Sequence, residues 1–276
     1  MKQKDLMAKI CAAPHIVWAV LFIAAPLLFV AFYAFTDGEG RFTLENISAL
    51  STHWETFLLS VCFSLIATVI CLLIGYPLAY AISKAPAKRQ SLLLTLLMLP
   101  MWMNLLIRTY SLMAILDDGG FLNSVLGAFG VPELHIVGTS GAVIFGMVYD
   151  FLPYMVLPIH SVLSKMDHRL TEAAHDLGCN RFEALTRVTL PLSLSGIISG
   201  VTMVFVPSIS TFYISQKLGG GTIFLIGDTI ELQFQNPSTY NVGAAISLVM
   251  MVLILISVAV MNHFSDGGED EGGIIP

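Results

Sequence analysis

The chain alternates between long apolar runs and short polar segments. The charge-poor runs lie at roughly 10–36, 56–83, 90–116, 134–164, 188–216 and 232–265. Each run can hold the ~20 apolar residues that cross ~30 Å of hydrocarbon. Because backbone groups in lipid must pair within their own segment, the runs predict an all-α, polytopic membrane protein. We predict six transmembrane helices near 14–35, 57–82, 91–115, 140–163, 193–214 and 241–262.

Composition agrees with this class. Hydrophobic residues make up 56% of the chain, charged residues 12%, and the mean hydropathy is +0.80, whereas a soluble domain has about 25% charged residues. No small-residue cleavage site follows the first run, so we interpret it as a span rather than a signal peptide. The expected membrane domain is 14–262, between a short N-terminus (1–13) and a disordered acidic tail (263–276).

Basic residues predict the orientation. With the N-terminus inside, ten of them fall in inner segments and only Arg41 and Lys217 in outer ones, so both termini should be cytoplasmic. The inner residues are Lys2, Lys4, Lys9, Lys84, Lys88, Arg89, Lys165, Arg169, Arg181 and Arg187.

The outer segments carry nine acidic residues against those two basic ones. A negative mouth concentrates cations, which favours a cationic cargo. Outer loops that merely lack bases, or a docking surface for another protein, explain the same charge.

Motifs of enzymes and metal sites are missing from the sequence. No lysine follows a glycine, so the chain has no Walker A loop for ATP. Its four cysteines and seven histidines show no metal-ligand spacing. We therefore expect no catalytic residue, no metal site, no cofactor and no nucleic acid bound by this chain.

A polar segment at 167–191 interrupts the apolar pattern after the fourth span. Asp167 is an expected N-cap, and Leu170, Ala173, Ala174 and Leu177 form a narrow apolar stripe of one helix. Gly178 follows where a left-handed C-terminal cap is expected. These positions predict the first half of a cytoplasmic helix–glycine–helix unit.

The second half of the unit begins at Asn180. Asn180 and Glu183 have capping-box spacing, Phe182 and Leu185 share a face, and Leu190-Pro191 should end this second helix. The stripe is short and two of its residues are alanines, which favours a protein partner over an amphipathic helix lying on membrane lipid.

The same segment carries a family signature. Glu172-Ala173-Ala174, Gly178, Val188 and Leu190-Pro191 resemble the EAA signature of permease subunits in binding-protein-dependent ABC importers. The chain is similar to the inner-membrane subunits of spermidine/putrescine importers over "LPMWMNLLIRTYSL" (99–112), "MVYDFLPYMVLPI" (147–159), "DLGCNRFEALTRVTLPLSLSGIISG" (176–200) and "LIGDTIELQF" (225–234).

The resemblance implies half of a polyamine pathway in a bacterial inner membrane, with the type I importer permease fold. It implies a second permease subunit, two copies of a P-loop ATPase that hold ATP-Mg, and an extracytoplasmic solute-binding protein. The residues expected at the ATPase-coupling surface are Glu172, Ala173, Ala174, Asp176, Gly178, Leu190 and Pro191.

Few residues indicate the substrate pathway. Asp150 is the one acid deep in a predicted span, where a carboxylate costs about 2.5–3.5 kcal/mol; it could contact a substrate ammonium or serve a structural hydrogen bond. Tyr149, Tyr154, Phe205 and Tyr213 could line the pathway or simply pack. Arg108, near the outer end of the third span, is interpreted as reaching the outer interface.

Other functions remain open at this point. Relatives with the same signature carry ferric iron, thiamine, sulfate or phosphonate. An ion-coupled secondary transporter is disfavoured by the lack of an internal repeat and by the single buried acid. An intramembrane enzyme would need a nucleophile–base or metal constellation, and the sequence offers none.

Overall fold

The computed structural model describes residues 14–266, and helices are their regular structure apart from one β-bridge between Thr36 and Phe42. The all-α prediction is confirmed. The helices are α1 (Pro14–Ala34), α2 (Glu45–Ser48), α3 (Trp54–Ser83), α4 (Ala87–Met98), α5 (Leu105–Leu116), α6 (Phe121–Ala128), α7 (Ser140–Lys165), α8 (His168–Asp176), α9 (Arg181–Ala184), α10 (Leu190–Leu192), α11 (Leu194–Ser210), α12 (Tyr213–Leu218), α13 (Ile226–Gln235) and α14 (Tyr240–Asp266).

Three segments of other helical types join these elements. The 3₁₀ turns are Ala49–His53 before α3 and Leu99–Trp102 after α4, and a π-helical turn, Leu185–Thr189, joins α9 to α10. A second π turn, Val20–Ala24, lies inside α1. The expected N-terminal segment 1–13 and most of the expected tail lie outside the described residues, and α14 continues to Asp266, past the predicted start of the tail.

Four helical segments among residues 14–266 are long and apolar enough to span a membrane: Pro14–Ala34, Glu45–Ser83, Ser140–Lys165 and Tyr240–His263. Two bent helix pairs pass the same test, Ala87–Trp102 with Leu105–Ala128 and Arg181–Leu192 with Leu194–Ser210. Counting each pair once gives the six spans that the apolar runs predict.

The third span differs from the continuous helix expected over 91–115. Its two halves bend by 94°, because the chain is extended at Met103 and helix α5 starts anew at Asn104. The Asn104 side chain accepts a hydrogen bond from the Leu106 backbone N–H (2.8 Å), which caps that new helix. The break changes the direction of the helix that follows it.

The fifth span also differs from its predicted range of 193–214. Helix α11 ends at Ser210, and Tyr213 begins the separate helix α12. At its other end a 67° bend separates α11 from α10. At this bend the hydroxyl groups of the buried Ser193 and of Tyr76 in α3 share a hydrogen bond (3.1 Å), in which either can be the donor.

The described chain divides into two compact units. The first comprises residues 14–55 and 229–253, and its core forms around Ala34, Ala244 and Ala245. Asn46 and Asn241 both donate side-chain hydrogen bonds to the Thr36 carbonyl, at 2.8 and 2.6 Å. These bonds satisfy a backbone acceptor just past the end of α1.

The second unit, residues 56–228 and 254–266, is built around α7. Helix α11 approaches α7 closely because a side chain at Gly196 would meet the Pro158 carbonyl oxygen at 3.0 Å, and one at Gly200 would meet Met155 Sδ at 2.8 Å. Gly196 and Gly200, four residues apart, therefore form a small-residue packing contact with α7. On another side of α7, Gly75 of α3 lies against Met155 and Val156.

Candidate coupling loop and intramembrane ion pair

The predicted helix–glycine–helix unit is present between α7 and α11. Asp167 caps α8 by accepting a hydrogen bond from the Arg169 backbone N–H (2.9 Å). Gly178 has φ +89°, a left-handed conformation that favours glycine. Asn180 and Glu183 form a reciprocal capping box, with both bonds at 2.9 Å. These three predictions are confirmed because each depends on neighbours in sequence.

The predicted end of the second helix is wrong. Helix α9 continues through the π turn Leu185–Thr189 into α10, and the chain breaks its helical path only at Ser193. The wider turn explains why Pro191 does not end the helix: the Leu190 N–H bonds five residues back, to the Leu185 carbonyl. Proline itself needs no bonding partner in the first turn of α10.

The residues expected at the coupling surface do not share one environment. Glu172, Ala173, Asp176, Gly178, Leu190 and Pro191 are exposed, whereas Ala174 is only 6% exposed. Ala174 therefore packs inside the loop and its carbonyl accepts the Cys179 N–H (3.0 Å). The alanine stripe is thus partly an internal contact of the unit.

Two apolar side chains of the loop are far more exposed than the alanines. Leu177 is 86% exposed and Phe182 is 72% exposed. They lie on either side of Gly178, at the end of α8 and in the first turn of α9. The sequence pattern places both on helix faces but does not predict their exposure. For Leu177, its position directly before the Gly178 turn is the feature of the sequence that indicates exposure.

A cleft of about 790 Å³ lies beside the loop. It is bordered by the end of α3 through Tyr80 and Lys84, and by α8 and α9 through Glu172, His175 and Phe182. Its wall is mixed in charge and partly aromatic, and it is open to the surface. The loop therefore presents both protruding apolar side chains and an adjacent recess.

Within the apolar part of the second unit, Asp150 of α7 pairs with Arg108 of α5. Arg108 Nε lies 2.5 Å from Asp150 Oδ1, and the two side chains are 8% and 1% exposed. Arg108 Nη1 also donates to the Pro100 carbonyl (3.3 Å), and its guanidinium carbon lies 6.0 Å from the centre of the Tyr149 ring.

This pairing changes the interpretation of both charges. Arg108 does not extend toward solvent, because its side chain is 8% exposed and is paired with Asp150 of α7. Asp150 has a counterion within its own chain, so its carboxylate is neither isolated nor free. The signal in the sequence was two lone, opposite charges in separate spans.

Of the other predicted pathway residues, Tyr149 lies beside the ion pair. Tyr149 and Tyr154 are partly exposed on α7, and Phe205 is buried in α11. Tyr213 instead packs edge-on against Tyr110, with ring centres 6.0 Å apart. The structure thus brings Tyr149 and Asp150 together around Arg108, and it does not join them to Tyr154, Phe205 or Tyr213. In residues 14–266, no three His, Cys, Asp or Glu side chains cluster as metal ligands.

The family model described as "Binding-protein-dependent transport system inner membrane component" matches residues 72–267, most of the chain. This chain belongs to that family. The permease is also similar to curated relatives over nearly its whole length. It is 38% identical over 262 residues (91% of this chain, 92% of the relative) to the spermidine/putrescine transport system permease protein PotB of Haemophilus influenzae. To PotB of Escherichia coli it is 39% identical over 247 residues (86% and 90%).

Solved structures support the permease fold. The crystal structure of a bacterial ABC transporter involved in the import of the acidic polysaccharide alginate matches with a TM-score of 0.76 and 19% identity, over 96% of each chain. The crystal structure of a bacterial alginate ABC transporter in complex with an alginate pentasaccharide-bound periplasmic protein matches with the same TM-score of 0.76 and 19% identity, over 95% of each chain. At this identity the likeness concerns the fold, and the ABC importer permease architecture predicted from sequence is confirmed.

Proposed function

We propose that this permease forms half of the transmembrane pathway of an ATP-driven importer for polyamines such as spermidine and putrescine. The observation that carries the substrate is the 38% identity to a spermidine/putrescine permease across 91% of this chain. Of the nine acidic residues in the expected outer segments, Asp228 is buried and accepts the Leu225 N–H; the other eight reach the surface and agree with a cationic cargo.

Family membership supports a proposal for the rest of the transporter. A solute-binding protein delivers the polyamine from outside, a second permease subunit completes the pathway, and two copies of a P-loop ATPase bind ATP-Mg. The ten basic residues of the expected inner segments support cytoplasmic termini and a cytoplasmic α8–α9 loop. The permease itself supplies the pathway and its coupling surface.

The ATPase would dock on the α8–α9 loop through Leu177 and Phe182. Covering an exposed leucine or phenylalanine contributes about 1.5–3 kcal/mol each, so these two side chains can provide most of the apolar contact. Glu172 and Asp176 are exposed acids beside them and would pair with basic groups of the ATPase. Gly178 would set the angle between the two halves of the loop.

In the membrane, Arg108 would limit how strongly Asp150 attracts a passing ammonium group. A bare carboxylate at this depth would hold a polyamine tightly, and import requires its release. Asp150 is 1% exposed and paired with Arg108, so it would act on a passing cation only at a distance, whereas the exposed Tyr149 would offer an aromatic surface beside the pair.

The proposal is tested by reconstituting the permease with its second subunit, ATPase and binding protein in proteoliposomes. We expect saturable, ATP-dependent uptake of radiolabelled spermidine that putrescine competes with. Ferric iron, thiamine and a phosphonate should compete poorly. Uptake of one of these three without spermidine uptake would keep the importer class and overturn the polyamine assignment.

An ATPase variant that cannot use ATP is the control for the proposed driving force. A partner ATPase with its P-loop lysine replaced should abolish uptake while the complex still assembles. Uptake that persists there and follows an ion gradient instead would favour a secondary transporter and contradict the proposal.

A further inference from the structure

Lys217 lies on the short helix α12, outside the apolar spans and next to α5 and α7. Ile214 and Leu218 anchor this helix, since a side chain at Gly146 of α7 would collide with both. The Leu218 carbonyl also accepts the Gly138 backbone N–H (2.8 Å). The apolar face of α12 is thereby fixed against α7, which determines where Lys217 can reach.

The ammonium group of Lys217 is held by two tyrosines. Its Nζ atom lies 4.9 Å from the centre of the Tyr110 ring and 5.7 Å from the centre of the Tyr213 ring. The rings themselves meet at 71° with centres 6.0 Å apart, so both can approach a single cation. Lys217 is cationic at neutral pH like any partly exposed lysine, and its interaction with the Tyr110 hydroxyl raises its pKa further.

The chemistry of this contact matches that of the proposed cargo. A lysine side chain ends in a primary alkylammonium group on a methylene chain, and so does each end of a polyamine. Tyr110 is 48% exposed, so a second cation can reach the same ring from outside. Aromatic rings attract any ammonium that comes within about 6 Å of their centre.

We propose that the Tyr110–Tyr213 pair is a binding site for a substrate ammonium group and that Lys217 occupies it as a tethered competitor until substrate displaces it. The inference rests on the proposed polyamine cargo and deepens it. Lys217 then occupies the tyrosine pair between transport cycles, and its displacement follows the arrival of a polyamine at the exposed side of the Tyr110 ring.

The direct test measures the reactivity of Lys217 in the complete transporter in nanodiscs. An amine-reactive reagent is applied with and without spermidine-loaded binding protein, and acylation of each lysine is quantified by mass spectrometry. We expect spermidine to accelerate acylation of Lys217 about two- to fivefold, the factor that one exposed cation–aromatic contact contributes. Lys84, which lies 5.6 Å from the Tyr80 ring, is the matched control and should not respond.

A second measurement uses variants at the same position. Lys217→Met removes the competitor and should lower the half-saturating concentration of loaded binding protein for uptake about two- to fivefold. Lys217→Arg keeps a cation and should stay within about twofold of the parent protein. Replacing both tyrosines by leucine should make Lys217 fast-reacting in all conditions and remove its response to spermidine.

The outcomes separate the two proposals. Spermidine uptake by the parent protein, with no change in Lys217 reactivity and equal behaviour of the Met and Arg variants, would overturn the tethered competitor and keep the polyamine importer. Absence of spermidine uptake in the parent protein would overturn both.

Discussion

Neutralising one member of the Arg108–Asp150 pair should destabilise the permease far more than neutralising both. Asp150→Asn leaves a buried guanidinium without its counterion, and Arg108→Gln leaves a carboxylate that is 1% exposed. Removal of one partner from a buried pair costs about 3–5 kcal/mol. Insertion scales independently assign about 2.5–3.5 kcal/mol to one charge at this depth.

These energies translate into a measurable shift. For a chain of this size, 1 kcal/mol changes the melting temperature by about 2–4 °C, so a cost of about 3–5 kcal/mol should lower the melting temperature of each single variant by about 6–20 °C. The double variant Arg108→Gln/Asp150→Asn carries no buried charge and should melt above either single variant. The assay is thermal unfolding of the purified permease in detergent, followed by size-exclusion recovery after heating.

An exposed ion pair provides the matched control. Arg41 Nη2 lies 2.7 Å from Glu39 Oε2, and both side chains are largely exposed. Arg41→Gln should therefore cost at most about 1 kcal/mol. If the double variant at 108 and 150 loses the sum of the two single losses, or if the single variants melt like Arg41→Gln, the pair does not stabilise the fold and the reasoning fails.

Three further predictions concern the coupling loop and the α7–α11 contact. Gly178→Val should lower substrate-stimulated ATP hydrolysis while membrane insertion persists, because a β-branched residue is strained at φ +89°; Gly178→Asn tolerates this conformation and should retain most activity. Leu177→Asp and Phe182→Asp should each weaken ATPase binding by about 1.5–3 kcal/mol, a factor of about ten or more that copurification measures. Leu177→Met should leave the binding intact. Unchanged ATPase binding by the Asp variants would contradict the docking surface. Gly200→Leu should destabilise the permease by about 1–3 kcal/mol in the same melting assay, because its side chain would overlap Met155, and Gly127→Ala, with open space around it, serves as its control.

The parts of the structure that the sequence predicts are those set by neighbouring residues. Apolar runs locate the spans, and the caps at Asp167 and Asn180 and the turn at Gly178 depend on residues at most three positions away. The apolar run predicts a straight third span, yet the structure bends it by 94° and pairs its second half with α7 through Arg108 and Asp150. No local pattern contains that partner.

In the candidate site, too, the features set by neighbouring residues are predictable and those set by distant contacts are not. The loop was located from its signature, yet the exposure of Leu177 and the burial of Ala174 depend on how α8 packs against the segment that follows Asn180. The tyrosine pair around Lys217 joins α5 to α12 across more than 100 residues of sequence. Distance along the chain hides such contacts from periodicity and spacing.

The Arg108–Asp150 pair also constrains how the permease enters the membrane during synthesis. Arg108 emerges from the ribosome 42 residues before Asp150, a delay of about 2–8 s at ~5–20 residues per second. During that interval the third span carries an uncompensated charge, so we expect it to rest near the membrane surface until the fourth span follows. Insertion assays on nascent chains truncated before and after residue 150 should show full insertion of the third span only in the longer chains; two spans that follow each other in sequence would then enter the bilayer as one unit.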